Sequence, residues 1–254
     1  MGSGLMRIGK ASERNQRSGR PILLPVRRFE QPDDVTCGPT CLAQIYRYYG
    51  DPKPVSEVIA ETPANPDGGT LAVYLGISAL RNGFDAAIYS YNLWVFDPTW
   101  FGLERRALLD KLHERVSVVS SRKLQRTISG YVDFLELGGR VRFADLDEKL
   151  LAGILARRCP ILTGLSATYL YRTAREHENE YDDVRGDPVG HFVVVSGYYP
   201  KTRRFVIRDP ATHIPFSRTG KYTVSVDRLI AAIMLGVATY DAVLLVVKPR
   251  RKTQ

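Results

Sequence analysis

Apolar positions in the first half of the chain recur at helical spacing. Between residues 37 and 50 they are separated by three or four residues, which predicts an amphipathic, largely buried helix. Thr36 is placed to cap its N-terminus, Pro39 is tolerated in its first turn, and Gly50 suits its end. Similar patterns predict further helices over 56–60, 70–82, 103–113, 146–157 and 226–234.

Short apolar runs dominate the second half and have the length of buried strands. The segment 132–137 fits a helix or a strand, and the highly charged stretch 169–189 indicates a surface loop. Helices come first and antiparallel strands follow, so the fold class is α+β, with an N-terminal helical layer packed on a C-terminal antiparallel sheet. The predicted strands are 85–91, 160–165, 191–198, 204–208, 214–217 and 240–247.

The length and composition favour one globular domain. The chain has 254 residues, of which 44% are hydrophobic and 25% charged, and no apolar run approaches the roughly 20 residues needed to span a bilayer. We expect a single domain over 23–248 that carries an insertion around 92–144. Residues 1–22 are expected to be a disordered basic tail, and 249–254 a second basic tail.

The number of cysteines and the net charge limit which cofactors, compartment and partners the sequence predicts. Three cysteines are too few for a disulfide framework, and no CxxC pair indicates zinc, so we predict neither a metal nor another cofactor. Reduced thiols and the absence of an apolar signal region favour the cytoplasm. The net charge of +9 is unaccompanied by a nucleic-acid-binding motif, so nucleic acid is not indicated beyond that charge.

The N-terminus of the 37–50 helix begins at Cys37, and this position has chemical consequences. Unpaired backbone N–H groups and the helix dipole stabilise a thiolate, which is the nucleophilic form of cysteine. An imidazole nearby completes the activation, and a third side chain can hold that imidazole in orientation. Cys37 is therefore the candidate nucleophile.

Candidates for the other roles follow from the strands. His191 stands at the start of one strand, and Asp209 ends another, 18 residues later. If the two strands pair as a hairpin, both side chains emerge at the same end, and Asp209 can accept a hydrogen bond from the imidazole. Gln31 lies six residues before Cys37, where its amide could donate to an oxyanion beside the Cys37 N–H.

These motifs together resemble a known family. The chain resembles the papain-like peptidases that cleave bacteriocin leaders after a double glycine, above all their stand-alone relatives without a transporter. The resemblance depends on Gln31, Cys37-Gly-Pro-Thr-Cys, Gly190-His-Phe-Val-Val-Val-Ser-Gly and Arg208-Asp-Pro, in that order. The resemblance covers roughly 28–248. It implies that Gln31 is the oxyanion residue, Cys37 the nucleophile, His191 the base and Asp209 its orienting partner.

Each candidate also has a structural interpretation. Asp209 precedes a proline and could simply shape a turn, whereas Asp187-Pro188 is interpreted only as such a turn. His213 is a rival to His191, because it also lies close to Asp209. The remaining histidines, His113 and His177, are expected to be solvated. The remaining cysteines, Cys41 and Cys159, are expected to pack in the core.

Three functions remain open from the sequence. The first is a cysteine peptidase or amidase that cleaves a peptide or isopeptide-type amide through a Cys37 thioester, with a peptide or protein as substrate. The second keeps the thioester but transfers the acyl or peptidyl group to another acceptor. The third is a non-catalytic module that binds peptide or nucleic acid and keeps a vestigial catalytic set. The sequence predicts neither the oligomeric state nor the substrate's identity.

Overall fold

The computed structural model describes residues 19–65, 69–239 and 242–250. Two short 3₁₀ turns accompany its helices and strands, at Pro98–Trp100 and Gly236–Thr239. In these ranges the helices are α1 Cys37–Tyr48, α2 Val55–Glu61, α3 Ala72–Arg81, α4 Arg105–Val118, α5 Arg122–Glu136, α6 Glu148–Ala156, α7 Ala167–Tyr171 and α8 Val226–Leu235. The strands are β1 Ile22–Leu23, β2 Phe84–Ser90, β3 Arg140–Arg142, β4 Ile161–Ser166, β5 Glu176–His177, β6 Glu180–Tyr181, β7 Gly190–Tyr199, β8 Arg204–Arg208, β9 Lys221–Ser225 and β10 Val243–Pro249.

One sheet organises the fold. Its strands run in the order β3-β2-β10-β4-β7-β8-β9, and β1 pairs with the far end of β7. All of these pairings are antiparallel except β2 with β3. That parallel pair is joined by a crossover through α4 and α5, the long connection that parallel strands need. The hairpin of β5 and β6 stands apart from this sheet.

The predicted α+β class is confirmed, with one refinement. Helices α1 to α3 precede most of the strands, and α1 packs against β7. The central strands β4, β7 and β10 are almost continuously buried, as strands covered on both faces must be. Helices and strands are less segregated along the chain than a strict helices-first order implies, because β2 and β3 precede α6, α7 and α8 and also join the sheet.

Most predicted elements are present, and the ambiguous segment 132–137 forms the end of α5. The predicted strand 214–217 is wrong: Ser217 N–H donates to the carbonyl of Ile214 in a turn. Pro215 has no N–H to donate to a neighbouring strand, and Phe216 is half exposed. The strand that pairs with β8 on the side away from β7 is β9, a few residues later.

The domain boundaries stay predictions. Most of the predicted basic tail 1–22 and all but two residues of 249–254 lie outside the described residues. Aromatic and aliphatic side chains of the 92–144 segment, such as Phe96, Leu112, Ile128 and Phe134, share the core with the sheet. In the part of the chain that the structure describes, none of the helices has the length and hydrophobicity needed to cross a membrane.

Candidate active site

Cys37 is the first residue of α1, as the helical pattern predicts. Thr36 occupies the N-cap position but makes no capping bond, and its hydroxyl donates to the carbonyl of Asp33 instead. Gly38 lets the helix end approach its neighbours, since a Cβ there would lie 2.7 Å from Thr70 Cγ2 and 3.2 Å from Phe192 Cδ2. The N-terminus of α1 is thereby held against the strand that carries His191.

The predicted hairpin brings His191 and Asp209 together. Strands β7 and β8 pair antiparallel, with Val194 opposite Arg208, so the start of β7 and the end of β8 lie side by side. His191 Nε2 lies 2.8 Å from Asp209 Oδ1. Because Nε2 faces the carboxylate, Nδ1 is the ring nitrogen left for Cys37. Both residues are buried, Asp209 completely.

Two tyrosines that the sequence did not single out complete the surroundings of Asp209. The hydroxyls of Tyr171 and Tyr222 donate to Asp209 Oδ2 over 2.8 Å and 2.6 Å. The backbone N–H of Ala211 donates to Oδ1 over 3.0 Å. With His191, these donors give the carboxylate four hydrogen bonds, which is why it can stay charged without solvent.

The backbone around Asp209 is also anchored. Asp209 N–H donates to the carbonyl of Gly220 over 2.8 Å, and Arg28 Nε donates to the carbonyl of Asp209 over 2.9 Å. Arg28 Nη2 also donates to the carbonyl of Ala211 over 2.6 Å. Gly220 has a φ of +64°, and a Cβ there would clash with Arg28 and with the Asp209 carbonyl. Glycine is therefore required at this position.

The charges of His191 and Asp209 stabilise each other. Burial lowers the pKa of His191, but the interactions with Asp209 and then Cys37 outweigh it and raise that pKa to about 10. Burial raises the pKa of Asp209, but the imidazolium and the bonds from His191, Tyr222 and Ala211 outweigh it and lower that pKa. Imidazolium and carboxylate are thus the forms present at neutral pH. Burial, with Asp209 next, raises the pKa of both tyrosines, which keeps them proton donors.

Gln31 lies beside the same set. Its backbone N–H donates to the carbonyl of Pro210 over 2.9 Å, which ties its segment to the residue after Asp209. Its Nε2 donates to the carbonyl of Asp33 over 2.8 Å, and the amide still holds a second hydrogen. The side chain is buried, and its Oε1 has no partner among the described residues.

A cleft runs past these residues. One cavity of about 280 Å³ contacts Cys37, and another of about 350 Å³ contacts Gln31 and His191. Asp34 and Gly190 line both cavities, so they are two lobes of one cleft. The structure therefore brings all four predicted site residues to one place, with Cys37 and Gln31 at the wall and Asp209 behind His191.

The rival residues are placed differently. His213 is exposed and lines the cleft, but its Nδ1 lies 3.0 Å from the hydroxyl of Thr212, and the partner of Asp209 is His191. Cys41 and Cys159 are buried in the core, as predicted. The Cys41 thiol donates to the carbonyl of Phe192 over 3.3 Å, and burial, followed by the charge of Cys37, raises its pKa.

Tyr171, Tyr222 and Arg28 gave no signal in the sequence. Tyr171 ends the short helix α7, at the edge of a stretch that the sequence indicated as a loop. Tyr222 lies on β9, which the sequence did not predict, and Arg28 is 181 residues from its acceptor. Only the strand β9 could have been found locally, from the polar–apolar alternation of 221–225.

Comparisons with known proteins agree with these motifs. A family model described as the Peptidase_C39 like family matches residues 23–225. A comparison with curated protein sequences found no match. Among solved structures, a double glycine motif protease from an AMS/PCAT transporter, in complex with the leader peptide, is 15% identical, with a TM-score of 0.43, and the alignment covers 91% of this chain and 98% of that one.

Two further solved structures are similar. The peptidase domain of Streptococcus ComA, a bifunctional ABC transporter in a quorum-sensing pathway, is 13% identical with a TM-score of 0.42, covering 89% of this chain and 99% of that one. Xylellain, a cysteine protease from Xylella fastidiosa, is 15% identical with a TM-score of 0.47, covering 91% and 86%. These scores are too low to argue from, whereas the family model spans most of the chain, and the chain therefore belongs to the Peptidase_C39-like family.

Proposed function

We propose that this protein is a cysteine peptidase that cleaves a peptide or isopeptide-type amide through a thioester on Cys37. The observation that carries the proposal is the buried contact between His191 and Asp209, 2.8 Å long, beside a cysteine that begins a helix. Membership in the Peptidase_C39-like family supports it. No role for a metal or another cofactor is part of the proposal.

The first step depends on the protonated imidazole of His191. His191 is protonated at neutral pH, because its pKa is raised to about 10 by Asp209 and Cys37 against the effect of burial. Its Nδ1–H then faces the Cys37 sulfur. The thiolate attacks the carbonyl carbon of the scissile amide, so that a C–S bond forms and the carbonyl electron pair moves to oxygen.

The oxyanion that forms needs donors at this moment. The N–H of Cys37 lies in the first turn of α1, where backbone N–H groups have no partner within the helix. The second amide hydrogen of Gln31 is the other proposed donor. Donors held in place before the reaction stabilise the developing charge without reorganisation, which is the reason for assigning them this role.

Two proton transfers complete the reaction. As the tetrahedral intermediate collapses, the C–N bond breaks and His191 gives its Nδ1 proton to the leaving amine. The neutral imidazole then takes a proton from a water molecule that attacks the thioester, the C–S bond breaks, and the Cys37 thiolate returns. Asp209 stays ionised throughout and holds the imidazole in orientation.

Peptide-cleavage profiling tests this mechanism. Incubation of the protein with a mixed peptide library and mass spectrometry of the products should show cleavage, and Cys37→Ala should reduce the rate by at least about 10³-fold. Cys159→Ala removes a buried thiol elsewhere and should leave the rate unchanged. Iodoacetamide should alkylate Cys37 faster than Cys41 or Cys159.

The opposite results would refute specific steps. A Cys37→Ala protein with undiminished cleavage would rule out the thioester. A wild-type protein whose Cys37 reacts no faster than the two core cysteines would favour a binding module instead. Addition of a competing amine or thiol separates hydrolysis from transfer, because a peptidase releases the free acid as its main product, whereas a transferase releases the amide or thioester of the added compound.

A further inference from the structure

A second concave site lies at the β3 edge of the sheet, away from the cleft. It is a cavity of about 560 Å³ between α4, α6 and β3, and we call it the edge groove. Phe101 and Phe143 stack in its wall, with ring centroids 4.1 Å apart and planes inclined by 12°. Phe101 and Leu103 are 47% and 40% exposed, although both are apolar. The groove thus leaves apolar surface open to solvent.

Cations surround this apolar surface. Arg142, Lys149 and Arg157 line the edge groove and are exposed. None of them forms an ion pair with any residue in the described ranges. The one acidic residue in the lining, Asp147, caps α6 by accepting from the N–H of Leu150 over 2.6 Å. The groove therefore combines an apolar wall with an excess of positive charge, three cations against one carboxylate.

Two of the lining residues contradict the preferences of the helix that carries them. Lys149 lies in the first turn of α6, where the helix dipole disfavours a cation. Gly153 lies in the middle of the same helix, where glycine is unfavourable relative to alanine. Both residues line the edge groove: Lys149 adds charge there, and Gly153 keeps side-chain volume out. A ligand in the groove accounts for both.

The size of the groove limits what can fill it. Its volume is about 560 Å³. That volume lies within the range of small-molecule pockets and matches one alkyl chain with one head group. A phospholipid with two acyl chains is much larger than the groove.

We propose that the edge groove binds a single-chain anionic amphiphile, such as an alkyl carboxylate. The alkyl chain lies along Phe101, Phe143 and Leu150, over the space that Gly153 leaves open. The anionic head group pairs with Arg142, Lys149 or Arg157 at the rim. This site is independent of the proposed peptidase function, because it shares no lining residue with the cleft.

Isothermal titration of the full chain with dodecanoate, below its micelle concentration, tests the proposal. We expect one site per chain, and binding at least about tenfold weaker for dodecanol, which lacks the charge. Lys149→Glu should weaken dodecanoate binding by about tenfold without lowering Tm, because glutamate suits the first turn of a helix. Arg81→Glu makes the same charge change at an exposed position outside the groove and should leave binding unchanged.

Gly153→Ala separates loss of the groove from loss of the fold. The added methyl group should weaken dodecanoate binding while Tm stays the same or rises, since alanine favours the helix. Absence of dodecanoate binding, or equal binding by wild type, Lys149→Glu and Gly153→Ala, would overturn the proposal. So would binding only to vesicles of phosphatidylcholine with phosphatidylglycerol, or only to an acidic amphipathic peptide.

Discussion

The cleft and the edge groove lie at different strands of the same sheet. The charged residues His191 and Asp209 are buried and hydrogen-bonded at the cleft, whereas the cations at the edge groove are exposed. At the cleft, Asp209 lies behind His191 with no exposed surface, and four hydrogen bonds satisfy its carboxylate. In the edge groove, Arg142, Lys149 and Arg157 are exposed and unpaired within the described part of the chain. Strands β10 and β4 lie between the strands that contribute to the two regions.

This difference follows from what each region has to do. A buried carboxylate that orients a base must keep one charge state and one position, so its partners come from inside the protein. A surface that binds an outside ligand must keep its charges available until the ligand arrives. A buried charge whose hydrogen-bond partners all come from the protein therefore fits a catalytic role. An exposed charge without a partner in the protein, beside exposed apolar surface, fits a role in binding.

The largest expected effect tests the internal side of this comparison. Asp209→Asn keeps the shape of the side chain but removes its charge, so that His191 loses the partner that raises its pKa. We expect kcat/KM for peptide cleavage to fall by about 10³- to 10⁴-fold, with the fold retained by circular dichroism. Asp187→Asn changes another Asp-Pro pair, and its kcat/KM should stay within about twofold of wild type. An Asp209→Asn enzyme of near wild-type activity would show that Asp209 only shapes a turn.

A smaller effect is expected from the tyrosines around the carboxylate. Tyr222→Phe removes a donor whose bond lowers the pKa of Asp209. That pKa should rise, so the charged carboxylate is lost at a higher pH, and the acid limb of the kcat/KM profile should move upward. We expect kcat/KM to fall by about tenfold at neutral pH, which corresponds to about 1.4 kcal/mol.

Tyr48→Phe is the matched control for this variant. Its hydroxyl donates to the backbone carbonyl of Arg158 over 3.0 Å, away from Asp209, so its loss removes a tyrosine hydrogen bond without touching the carboxylate. Neither kcat/KM nor the acid limb should change. If Tyr48→Phe and Tyr222→Phe lowered activity equally and left the pH profile in place, Tyr222 would have only a general structural role.

The smallest effect on peptide cleavage is expected from a substitution in the edge groove. Lys149→Glu changes the edge groove by two charge units but touches nothing in the cleft. Because distant and unconnected sites act additively, kcat/KM for a short peptide should stay within about twofold of wild type. A change of tenfold or more would show that the edge groove and the cleft are coupled.

Much of the fold and the candidate site could be predicted locally. Helical spacing after Cys37 predicted α1, and the apolar run after His191 predicted β7, because each periodicity reflects contacts within one element. The strand 214–217 was predicted wrongly because alternation of apolar residues alone ignores the missing N–H of Pro215. The hairpin argument placed His191 beside Asp209, since one antiparallel register determines both positions.

The amino-acid pattern was enough to predict the family, the α+β class and the four candidate residues, Gln31, Cys37, His191 and Asp209. What surrounds these residues became known only from the packing of the folded chain. Tyr171, Tyr222 and Arg28 reach Asp209 from 38, 13 and 181 residues away, and no local pattern records such contacts. The edge groove depends equally on the packing of α4, α6 and β3. Periodicity predicts elements, but the partners of a buried charge depend on how those elements pack.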